Sequence, residues 1–125
     1  QIRSMLAQSL QAVACQYLLR RRDRGGRCVA MEIMINNDAI ANLIRKSKEF
    51  QIPSVIATSR EQNMQLMDAD LIRLYREGKV FADEVYIKAK NKKEFEGVMQ
   101  EGAVRKELQA HDSLEIVVGS TFHNR

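Results

Sequence analysis

The stretch GRCVAMEIMINNDAIANLIRK, residues 26–46, changes its hydrophobic period midway. From Arg27 to Ile35 the residues alternate, with Val29, Met31, Ile33 and Ile35 on one side and Cys28, Ala30, Glu32 and Met34 on the other. Period two predicts a strand, and apolar residues on both sides predict one that is covered on both faces. From Ala39 to Lys46 the apolar residues Ile40, Leu43 and Ile44 recur at spacings of three and four, which predicts a helix. Asn36, Asn37 and Asp38 stand between the two as cap and first-turn residues. Arg45, Lys46 and Lys48 suit the negative end of the helix dipole. A strand feeding a capped amphipathic helix sets the class as α+β. Glu32 is the odd residue of the strand, and a buried carboxylate there needs a basic or hydrogen-bonding partner.

Upstream, Ile2, Leu6, Leu10, Val13 and Tyr17 form a stripe at helical spacing, so residues 2–18 are expected to be an amphipathic helix, with a short strand around Cys15 to Leu19 before a turn. Gln1 offers no cap, so this helix reads as one continued from a longer polypeptide. The glycine pair in RDRGGR marks the turn. Pairing strands around Arg24 and Gly25 places Cys28 opposite about Arg20, which argues against a Cys15–Cys28 disulfide. With only His111 and His123 besides, no zinc framework is expected.

Downstream the chain is mainly helical. Pro53 suits the first turn of a short helix reaching about Ser59, and Met64, Met67, Leu71, Leu74 and Tyr75 mark another that ends at Gly78. A helix from about Ala82 to Lys90 follows. Asn91-Lys92-Lys93-Glu94 then reads as a capping box before Phe95, Val98 and Met99. LEIVVG at 114–119 is expected to add a short strand.

The charge is uneven. Residues 1–60 hold ten Lys or Arg against four acids, a net +6, whereas 61–125 hold ten against twelve, a net −2. Arg20, Arg21, Arg22, Arg24 and Arg27 supply much of the excess, and such a cluster can meet phosphates or anionic lipid heads. No aromatic residue is interleaved to stack on bases, so nucleic-acid binding is not expected. None of the six glycines opens a G-x-x-x-x-G-K-S/T loop, and G-x-S-x-G and H-E-x-x-H are absent. Acidic pairs such as Asp68 and Asp70, or Asp83 and Glu84, read as helix-start or polar-face residues. No catalytic, cofactor or metal residue is assigned to the chain, and no apolar run approaches the ~20 residues that span a bilayer.

The ordered residues carry more than their periods. QIRSMLAQSLQAVACQYLL, GRCVAMEIMINNDAIANLIRKSKEFQIPSVI and MQLMDADLIRLYREGKV, in that order, resemble the end of the retraction ATPases of type IV pili, the PilT family, over about residues 1–100. The most specific match is Ala39-Ile40-Ala41-Asn42-Leu43-Ile44-Arg45-Lys46, similar to the family's AIRNLIRE signature, with Ala41 for its arginine and Lys46 for its glutamate. Met64-Gln65-Leu66-Met67-Asp68 resembles its GMQTMD, with Asn63 where glycine is usual. Asparagine also tolerates positive φ, so the backbone there is expected to be unchanged.

The resemblance implies that residues 1–36 end a RecA-like core, that 37–100 form a helical C-terminal subdomain, and that 101–125 lie outside the match. It further implies a hexameric parent using ATP and Mg, cytoplasmic and peripheral at the inner membrane through a pilus platform protein, with the nucleotide loop upstream of this segment. Ala39, Ile40, Asn42, Leu43, Ile44 and Arg45 would transmit motion, with Met64, Gln65, Met67 and Asp68 as a second motif. Related assembly ATPases carry a four-cysteine zinc insert where this chain has its short arginine-rich turn, which points toward retraction. The competing readings are a related secretion or DNA-transfer ATPase and a free-standing basic adaptor for nucleic acid or lipid.

Overall fold

The computed structural model describes residues 1–122, with side chains as far as Ser113 apart from Asp112. The first helix, α1, is Ile2–Ser9, and the chain turns extended at Leu10. Strand β1 then runs Ala12–Arg20 and pairs antiparallel with β2, Arg27–Ile35, over nine residue pairs from Ala12 opposite Ile35 to Arg20 opposite Arg27. The expected helix over 2–18 is thus half helix and half strand. Val13 and Tyr17 satisfy a spacing of four, yet Val13, Cys15 and Tyr17 equally satisfy a spacing of two, and the partner strand decides between them. Cys28 lies opposite Leu19 and Cys15 opposite Glu32, one residue from the expected register.

On β2 the Cys28, Ala30, Glu32 and Met34 side is the covered one, with Ala30 and Met34 buried. Val29, on the other side, stays 39% exposed, so the strand is not enclosed on both faces as its composition suggested.

Asn37 caps α2, Asp38–Arg45, with its side-chain oxygen accepting from the Ile40 N–H at 3.0 Å. Ile40, Ala41 and Ile44 are buried and join Ala7, Met34, Ile56 and Met64 in one core cluster. The helix ends at Arg45, and Ser47, with φ 58°, prevents a further turn. A 3₁₀ turn, Glu49–Gln51, leads into α3, Ile52–Thr58, with Pro53 in its first turn as expected. Asn63 adopts φ 61°, the left-handed conformation inferred for the residue standing in glycine's place.

Helix α4 is Met67–Arg76, three residues shorter at its start than the stripe from Met64 suggested. The reason is local: Gln65 exchanges backbone hydrogen bonds with Ile33 of β2, at 2.9 and 3.0 Å, and cannot also be helical. Gly78, with φ 69°, closes α4. Helix α5, Ala82–Lys88, stops two residues early because the Lys90 N–H donates to Asp68 Oδ1.

Helix α6, Lys92–Phe122, opens on the expected box, with Glu94 N–H donating to Asn91 Oδ1 and Asn91 Nδ2 donating to Glu94 Oε2. It runs straight through LEIVVG, so the strand expected at 114–119 is helix. Among the described residues only β1 and β2 are strands, and a helix satisfies its backbone groups without a ladder partner. The chain divides into two compact units, Gln1–Lys90 and Asn91–Arg125.

Candidate functional site

The first signature lies on α2 and is split by the helix period. Ile40 and Ile44 face the core, Leu43 is half-buried, and Ala39, Asn42 and Arg45 are exposed. The second lies at the entry to α4, where Met64 and Met67 are buried. Met64 belongs to the same core cluster as Ile40 and Ile44, so the structure brings the two motifs together through their apolar members.

Two asparagines fix the root of α2. Asn36 Nδ2 donates to the carbonyls of Ala7 and Leu10, at 2.9 and 2.8 Å, tying the end of α1 to the end of β2. Beyond its capping bond, Asn37 donates through Nδ2 to Gln62 Oε1 at 3.0 Å.

The second motif locks α4 onto β2. Besides its backbone pairing with Ile33, Gln65 donates through Nε2 to the Met31 carbonyl at 2.7 Å. Glu32 Oε2 accepts from the Met67 N–H at 3.0 Å, which supplies the partner its position in the strand demanded and sets a carboxylate at the positive end of α4. Asp68 accepts from Lys90 N–H, and Asp70 Oδ2 from Met31 N–H at 2.8 Å. Each of these three carboxylates therefore meets a main-chain N–H of another segment. That geometry fixes elements relative to one another.

Asp70 corrects the reading of Asp68 and Asp70 as helix-start or polar-face residues. It is 5% exposed, and its other oxygen accepts from Arg73 Nε at 2.8 Å. The signal was present in the sequence: Asp70 lies on the Met67, Leu71, Leu74 stripe, where a carboxylate must have a partner. The Asp70 contact raises the Arg73 pKa, and Arg73 reaches on to Glu77. Lys79, first, and Arg73 together hold the Glu77 carboxyl below its usual range.

A second electrostatic cluster joins the hairpin to α5. Arg20 Nε donates to Glu84 Oε1 at 2.7 Å and its guanidinium lies over the Phe81 ring, 5.7 Å from the centroid. The Arg20 bond lowers the Glu84 pKa.

Over 90 residues the chain is 43% identical to a twitching motility protein of Neisseria gonorrhoeae, a match covering 72% of this chain and 24% of that protein. It is likewise 43% identical over 89 residues to the type IV pilus retraction ATPase PilT of Pseudomonas aeruginosa, covering 71% of this chain and 26% of the relative. The crystal structure of the pilus retraction motor PilT with bound ADP matches 75% of this chain and 25% of its own, with a TM-score of 0.64 and 33% identity. The chain belongs to the PilT family.

Its hairpin and helices correspond to the C-terminal region of PilT, and it spans about a quarter of the length of these relatives. The Legionella pneumophila ATPase DotB shares the PilT-like fold at a TM-score of 0.52 and 14% identity, over 69% of this chain and 23% of that one. No family model matches the chain. Among the described residues no helix is long and apolar enough to cross a membrane.

Proposed function

We propose that this chain is the C-terminal part of a hexameric ATPase motor that powers type IV pilus retraction, and that it transmits motion rather than performing catalysis. The whole protein would bind ATP with Mg, assemble with itself, and act at the cytoplasmic face of the inner membrane against a platform protein of the pilus machine. Residues 1–36 would end the RecA-like core and 37–100 form the helical subdomain, with 101–125 as a tail.

The observation that carries this reading is the 43% identity to a twitching motility protein and a pilus retraction ATPase over about 90 residues. The clamps support the transmission role. Glu32, Gln65 and Asp70 join β2 to α4, so displacement of the strand would carry the helices with it. Asn42 and Arg45 stand exposed on the face of α2 away from its core, free for a second surface to push against.

The test is a paired Asn42→Ala and Arg45→Ala change in the full-length motor. Both side chains are exposed, so the melting temperature should correspond to a loss of no more than about 1 kcal/mol. ATP turnover should persist while retraction falls. Normal retraction at normal expression rejects the transmission role.

A further inference from the structure

The five arginines of the hairpin end divide into two groups. Arg20 is held by Glu84, Asp83 and the Phe81 ring, and Arg21 by Asp23 through two hydrogen bonds. The backbone beneath them is equally fixed: Arg21 bridges to Val80, and the Arg22 N–H donates to the Lys79 carbonyl at 2.8 Å. These contacts anchor the base of the tip to the segment between α4 and α5.

Arg22, Arg24 and Arg27 differ. All three are exposed, and among the described residues no carboxylate lies within ion-pair distance of their guanidiniums. Asp23, the acid within the stretch, is engaged by Arg21, with Arg24 adding a weaker pull at longer range. Around Gly25 and Gly26 nothing lies within 4 Å of where a side chain would begin. The tip is therefore convex and open, a rigidly rooted loop presenting three cations that make no ion-pair contact among the described residues.

We infer that Arg22, Arg24 and Arg27 form a docking tip for the phosphates of an anionic lipid surface. Guanidinium is the side chain best suited to bidentate phosphate contact. A convex tip without a groove cannot enclose a peptide, whereas a flat surface of mobile headgroups can gather around it. The absence of an aromatic residue from Arg20 to Arg27 disfavours single-stranded nucleic acid, whose binding relies on stacking. This inference stands apart from the motor reading, because it uses none of the signature residues.

Co-sedimentation of the 125-residue chain with vesicles of phosphatidylcholine, alone or mixed with phosphatidylglycerol, tests it. The chain should sediment with the anionic vesicles only, and raised salt should release it. Each basic residue near such a surface multiplies partitioning about fivefold, so an R22Q/R24Q/R27Q variant should lose more than tenfold. The R22K/R24K/R27K variant, which keeps the charge, should retain binding within a few fold, and its retention separates lost charge from lost folding. A K46Q/K48Q variant removes two bases elsewhere and should bind within about twofold of the parent chain. Equal losses in the two glutamine variants would make the effect one of net charge and overturn the tip. Failure to bind anionic vesicles, or tighter arginine-dependent binding to duplex DNA, would overturn the lipid assignment.

Discussion

Asp70 is a carboxylate placed on an apolar stripe, between Met67 and Leu71 on the face of α4 that meets β2. Removing an ion from water costs several kcal/mol unless its lone pairs are met, and here one oxygen has the Met31 N–H and the other the Arg73 guanidinium. Asp70→Ala should leave Met31 N–H buried without an acceptor and lower the unfolding free energy by about 2–4 kcal/mol. Asp70→Asn keeps an acceptor and should cost less, roughly 1–2 kcal/mol. Urea unfolding of the two variants checks both, and a loss under 1 kcal/mol for the alanine would mean that the clamp is not holding α4 to β2. Glu32 was legible as a residue needing a partner because it interrupts an otherwise apolar strand. Asp70 carried the same signal through its place on the Met67, Leu71 and Leu74 stripe, but an acid at the start of a helix also has an ordinary dipole explanation, and only β2 lying across that face decides between the two.

Between elements, the join of the hairpin to α5 depends on charge. Glu84 has its pKa lowered from 4.5, chiefly by the Arg20 hydrogen bond and charge. A lowered folded pKa means stabilisation fully present above the unfolded value and lost as pH falls through the folded one. The thermal midpoint of the parent chain should therefore exceed that of Glu84→Gln at pH 7, with the gap closing below about pH 4. Because Arg20 is exposed and Glu84 only half-buried, the gap should be small and should shrink in high salt. A gap that persists at pH 2 would show that packing, not charge, joins these elements.

At this same scale the sequence was readable wherever a signal was local. The Asn37 cap, Pro53, Asn63, Gly78 and the Asn91 box each act through neighbours within a few residues, and each stands where it was expected. The errors fall where a distant partner decides. Residues 12–18 become strand because β2 pairs with them, the start of α4 moves because Ile33 captures Gln65, and α5 stops where Lys90 meets Asp68. The two signatures were identified as motifs, but their meeting through Met64 and Ile40 is a tertiary fact that neither spacing contains.

For the molecule as a whole, the hairpin leaves apolar surface and an open edge. Val13, Leu18 and Val29 are 41%, 51% and 39% exposed, and among the described residues β1 has β2 as its sole strand neighbour in a two-stranded sheet. Unpaired N–H and C=O groups along such an edge invite another chain, and the apolar neighbours add a hydrophobic incentive. The open edge and the apolar sheet face are two different surfaces, and contacts through them are not bound to one fixed number of subunits. The 125-residue chain should consequently be a monomer at low micromolar concentration and broaden into polydisperse species as concentration rises. Val13→Lys and Leu18→Lys should suppress that broadening while changing stability by no more than about 0.5 kcal/mol, since both positions are exposed. Sedimentation velocity across a concentration series, with thermal melts of both variants, decides the matter. A discrete hexamer that survives dilution, and is indifferent to the two lysines, would show that surfaces other than the hairpin carry the assembly.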